Sequence, residues 1–209
     1  MNHLSKIALV GLTTLVSSGA IAQETTDLTV TGKAVPRACT PSLSAAKLDW
    51  GDVPLQVELP TSLQSKTLTV GVSCHAPTRF ALQIADNKAD SAPSTQGSRG
   101  FAPVDDIAIG GYSMRIPLHR DLPVDGGSVN TSLSRDDGES WKYLSFYGGS
   151  NYSIRSEDLI GFTSGEAPPT AIKDLSFEIH VTGEIRPRNE LPLEEFEIAG
   201  SSTFIIQYL

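Results

Sequence analysis

The sequence predicts an all-β sandwich with one disulfide. Three observations carry that prediction. Apolar and polar residues alternate with a period of two in run after run, as strands with one buried face require. Clusters rich in Gly, Pro, Ser and Asp separate the runs. Two cysteines, Cys39 and Cys74, stand in a chain whose first residues read as an export signal.

The runs follow one another along the chain. Leu28 and Val30 alternate with threonines; Leu68, Val70, Val72 and Cys74 form a longer strand. The turn-like His75-Ala76-Pro77 precedes Phe80, Leu82 and Ile84. Ile107 with Ile109, and Met114 with Ile116, read as further strands. Leu175, Phe177, Ile179 and Val181 give the cleanest run, and Phe204, Ile206 and Tyr208 make the last. Short helical turns are expected only at Ser42–Lys47 and Asp158–Ile160. Asp86–Pro103 and Gly161–Thr170 read as long loops, and Glu190–Glu197 as an acidic connection into the last strand.

Residues 1–22 have the three parts of a secretory leader: Lys6, the apolar Ile7–Val16, and the small-x-small site Ala20-Ile21-Ala22. The apolar run falls short of the roughly 20 residues a membrane span needs. The expectation is therefore cleavage after Ala22 and one soluble exported domain over 23–209. In an oxidising compartment Cys39 and Cys74 are expected to pair, and no His or third Cys at ligand spacing suggests a metal. The formal net charge is −8, and removal of Lys6 makes the remainder more acidic. No Lys/Arg cluster offsets this, which argues against nucleic acid or anionic membrane as partner.

Catalytic signals are weak. "HRD" at His119–Asp121 matches a kinase loop in letters only, without its glycine-rich loop or lysine strand. No G-x-S-x-G elbow exists, and His75, His119 and His180 lack partners at useful spacing. No cofactor is expected, and the chain reads as a non-enzyme. "SRDDGESW", Ser134–Trp141, fits the Asp-box pattern S-x-D-x-G-x-x-W. Asp136 is expected to accept turn N–H groups, Gly138 to adopt positive φ, and Trp141 to fold back over a hairpin with strands Val129–Leu133 and Trp141–Phe146. The aromatic stretch "WKYLSFYGGSNY" that follows reads as hairpin core, with a glycan-binding surface as the alternative.

The termini resemble a known family. In "LTVTGKAVPRACTPSLSAAKLDWGDVPL", Val30, Gly32, Val35, Cys39 and Asp49–Val53 stand where subunits of the chaperone–usher pathway, the Gram-negative pilins, carry their opening strand, first cysteine and apolar-Gly-x-apolar turn. "LTVGVSC" places Cys74 where those subunits close their disulfide, and "STFIIQYL" ends on a strand with a penultimate tyrosine. The chain also resembles an exported, little-characterised family typified by the GltF protein. The resemblance implies an immunoglobulin-like sandwich lacking its last strand. The open groove would be filled by a periplasmic chaperone or a neighbouring fimbrial subunit. It assigns Phe204, Ile206 and Tyr208 to the groove wall, the Leu209 carboxylate to a chaperone anchor, and Leu28 and Val30 to the donor arm. The arm ahead of Leu28 is short and polar, so a pilin-like fold is expected more strongly than a fibre. The alternative is a self-contained periplasmic sandwich that binds a ligand such as a glycan.

Overall fold

A computed structural model describes residues 38–93, 98–117, 121–147, 151–165 and 168–209. The leader, the arm residues Leu28 and Val30, Gly32, Val35 and His119 lie outside the described residues.

The chain is nearly all β and builds two antiparallel sheets, face to face. The first sheet runs β1 (Cys39–Leu43), β2 (Thr61–Thr78), β11 (Ile172–Ile185), β5 (Gly110–Pro117) and β4 (Ser98–Gly100), with β9 (Asn151–Ser153) also on β5. The second runs β12 (Ser202–Tyr208), β3 (Phe80–Asp86), β10 (Leu159–Thr163), β7 (Gly127–Ser134) and β6 (Leu122–Val124), with β8 (Lys142–Tyr143) also on β7. Pro36–Leu209 forms one compact unit. No helix among the described residues is long and apolar enough to cross a membrane.

The alternation read from the sequence explains the core. Leu68, Val70, Val72 and Cys74 of β2 are buried, as are Leu175, Phe177, Ile179 and Val181 of β11. These strands pair from Thr61↔Ile185 to Thr78↔Ile172. From the other sheet, Phe80, Leu82, Ile84, Ile160 and Phe162 close onto them. Phe162 joins the layers, with its ring 6.4 Å from that of Phe80 and 5.1 Å from that of Phe177.

Arg99 of β4 is fully buried and donates to the carbonyls of Ile154 (3.0 Å) and Ile84 (2.9 Å), so it ties the first sheet to the second. Burial holds its pKa below the usual arginine value, opposed by the charges of Tyr112, Asp86 and Asp158. Its positive head is tolerated because carbonyls replace water around it.

Four local expectations are corrected. Ser42 and Leu43 belong to β1, and the residues after them hold no helix. Ile160 lies in β10, where every residue is buried and pairing with β7 supplies the backbone partners. His75-Ala76-Pro77 is no turn; β2 runs through it to Thr78, and the chain changes sheet at Arg79. Ile107 and Ile109 lie outside the strands, with Ile107 bridging to Val104. The two long loops also shrink, since β4 occupies the end of one and β10 the start of the other. The Glu190–Glu197 connection stands as expected, after a short 3₁₀ turn at Arg188–Glu190.

Cys39 and Cys74 are directly opposite in the β1–β2 ladder and form the disulfide, across 35 residues of sequence. Its loop closure is expected to stabilise the domain by about 3–4 kcal/mol on the chain-entropy account. The double variant Cys39→Ser/Cys74→Ser should lose that amount in denaturant titration, and β1 amides should lose hydrogen-exchange protection before those of β11.

Candidate strand-accepting edge and aromatic groove

The last strand ends the second sheet. β12 pairs with β3 along one side, with Phe204↔Ile84, Ile206↔Leu82 and Tyr208↔Phe80 in register. No other described strand pairs with its outer side. Residues directly opposite share a face, so Phe204, Ile206 and Tyr208 lie on the core side. Their partners Ile84, Leu82 and Phe80 are buried to within 2%. Phe204 and Ile206 are only half-buried against the core, Tyr208 is 55% exposed and Leu209 49%. An edge of this kind presents free N–H and C=O groups beside unfinished apolar surface.

Both ends of this strand are tied to the first sheet. The Tyr208 hydroxyl accepts the Cys39 N–H at 2.9 Å, which links the strand to the disulfide. At the other end the Tyr112 hydroxyl of β5 shares a 2.8 Å hydrogen bond with Ser202 Oγ. The Tyr112 ring stacks on Phe101, and Phe101 bridges to Gly200. The edge is therefore held in place, and among the described residues no strand pairs with its outer side.

The Asp-box residues behave as their chemistry dictates. Asp136 accepts bonds from the hydroxyls of Ser134 and Ser140 and from the Ser140 N–H. These bonds, Ser134 first, lower its carboxyl to about 2. Gly138 has φ +92, a backbone region that favours glycine. Trp141 donates its indole N–H to the Gly138 carbonyl at 3.0 Å and lies over Gly161 of β10. There an added Cβ would stand 2.4 Å from the indole ring. The Leu209 side chain reaches the same turn, 3.6 Å from where a Gly138 Cβ would stand. The second hairpin strand is shorter than expected: β8 is Lys142–Tyr143, and Leu144–Tyr147 turn into a 3₁₀ helix.

Behind the hairpin, the outer face of the second sheet carries a groove of about 460 Å³ lined by Ser132, Trp141, Tyr143, Phe146 and Thr163, among others. Alongside, Asp158, fully buried, accepts Arg135 Nε (3.2 Å), the Tyr152 hydroxyl (2.8 Å) and the Arg155 N–H (2.8 Å). The Arg135 guanidinium sits 4.4 Å from the Tyr147 ring centroid. Burial, with the Asp158 carboxylate beside it, pushes the Tyr152 hydroxyl up to about 12 and keeps it a donor.

Of the remaining predicted residues, His75 is exposed on β2, and His180 is half-exposed on β11 opposite Thr67. Sequence reading missed Ser132, Thr163 and the Arg135–Asp158 pair, because they meet only through strand register. The Tyr208–Cys39 bond is likewise not legible in the sequence, although both residues stand out there.

Residues 28–119, just short of half the chain, match a family described as "Protein of unknown function (DUF1120)". No curated protein matches the chain.

Two outcomes test the hairpin. Gly161→Ala should cost about 1–3 kcal/mol through overpacking against Trp141, and much less in a Trp141→Ala background. A double-mutant cycle read by urea denaturation checks this. Asp136 titrates below its unfolded value of about 3.8, so its stabilising contribution is complete above that pH and is lost as pH falls toward 2. Wild type should lose more stability than Asp136→Asn between pH 4 and 2, measured by denaturation midpoints.

Proposed function

We propose that this chain is an exported, non-enzymatic fimbria-type subunit of the Gram-negative cell envelope. Its β12 edge takes up a strand from a periplasmic chaperone or a neighbouring subunit. One observation carries this reading: Phe204 and Ile206 stay half-buried while the residues paired with them are fully buried. A strand laid beside β12 would satisfy its free backbone groups and cover those side chains, which is β-augmentation. The pilin-like opening segment and the tyrosine-bearing final strand support the same reading. The disulfide and the Tyr208–Cys39 bond would pre-order the edge, so that less conformational entropy is lost on strand uptake.

The test is co-expression with a chaperone of the pilus type, followed by purification of the complex and thermal melting with and without it. At a hundredfold excess over Kd, a bound strand should add about 2.7 kcal/mol, roughly 5–10 °C in a domain of this size. Hydrogen exchange should slow at β12 and stay unchanged at β7. Phe204→Asp/Ile206→Asp should abolish complex formation. Circular dichroism of the variant tells lost binding from lost folding. A wild-type chain that remains monomeric, with the same melting temperature and the same β12 exchange in the presence of chaperone, would sink the reading.

A further inference from the structure

We propose that the groove on the outer face of the second sheet is a saccharide site, floored by Ser132 and walled by Trp141, Tyr143 and Phe146, that takes a neutral pyranose. It is distinct from the β12 edge: it lies across β7, β8 and β10 and uses none of the strand-accepting residues.

Three observations converge on a sugar. The groove, at about 460 Å³, falls in the range of small-ligand sites. Its wall is aromatic, and Phe146 is 71% exposed, so the ring is not consumed by hairpin core. A pyranose presents an apolar C–H face that suits such rings and hydroxyls at its rim. The floor holds the second, independent signal. Ser132 is 1% exposed, lines the groove, and its Oγ has no hydrogen-bond partner. Buried hydroxyls are normally bonded, and a sugar hydroxyl, both donor and acceptor, would complete this one. Thr131 Oγ1 is likewise unpartnered, but Thr131 pairs with the buried Phe162 on the core side and is no part of the groove.

Charge selects a neutral ligand. Among the described residues that line the groove, Lys142 is the one cation, its ammonium lies 4.9 Å from the Phe146 ring centroid, and none is an acid. An anionic ligand would call for a cluster of cations. The wall is also pre-formed, because the indole N–H of Trp141 is fixed on Gly138 and its ring rests over Gly161. A rigid wall reduces the ordering cost of binding.

The two indole N–H signals of the exported full-length chain provide the assay, since Trp50 and Trp141 are its only tryptophans. Cellobiose, maltose, lactose and N,N′-diacetylchitobiose are titrated separately at millimolar concentrations. At least one should shift the Trp141 signal saturably and leave Trp50, bonded to the Gln64 carbonyl, in place. Phe146→Ala should weaken that binding by about 10-fold, as loss of an aromatic contact does. Ser132→Ala should weaken it by about 5-fold with a melting temperature equal to or above wild type, since an unsatisfied hydroxyl is removed. No shift with any of the four sugars overturns the proposal. So does binding that neither substitution weakens.

Discussion

The pairing of β2 with β11 sets the frame to which the other strands attach. The ladder runs nearly the whole of both strands, and their alternating apolar residues supply much of one face of the core. β1 joins it on one side through the disulfide, and β5 joins it on the other. The same long strand delivers the chain to the second sheet, because β3 begins directly after Arg79. Stability in such a sandwich rests on apolar surface closed between two sheets. The β2–β11 ladder positions that surface for both.

Several polar contacts tie the two sheets. Arg99 reaches from the first sheet to a carbonyl of the second. Tyr112 and Tyr208 bind the two ends of the final strand. Among the described residues the core is well covered, and Phe204 and Ile206 of β12 are only half-buried against it. The outer face of the second sheet, by contrast, is shaped by the Asp-box turn, where Trp141 exchanges contact with the core for contact with Gly161. β12 and the outer groove draw on separate residues.

Much of the fold was legible because β2 and β11 bury one face and alternate cleanly, and β3 and β12 carry a weaker form of the same pattern. The cysteine pair and the Asp box were legible because both are local in chemistry. β10 was not, since Leu159–Thr163 is buried throughout and shows no alternation, and Gly161 resembles a breaker until the indole above it is seen. β4 was hidden in a serine-rich stretch by a buried arginine, a residue type expected outside. Pro77 misled because β2 carries it at the point where the strand leaves its sheet. The groove was illegible for another reason: residues from three separated segments, around 132, 141–146 and 163, contribute to it. The expectation of an open edge came only from resemblance, and nothing in the local pattern of β12 distinguishes an edge strand from a central one.

The Asn87–Thr203 hydrogen bond beside the β3–β12 pair joins residues 116 positions apart. Because translation proceeds from the amino end, β3 is made long before the strand that covers its side. Through that interval a run of Phe80, Leu82 and Ile84 stands beside an unpaired backbone, in a topology whose distant pairings close slowly. The waiting time built into this strand order exposes the nascent chain to mispairing, a kinetic hazard separate from the stability of the finished domain.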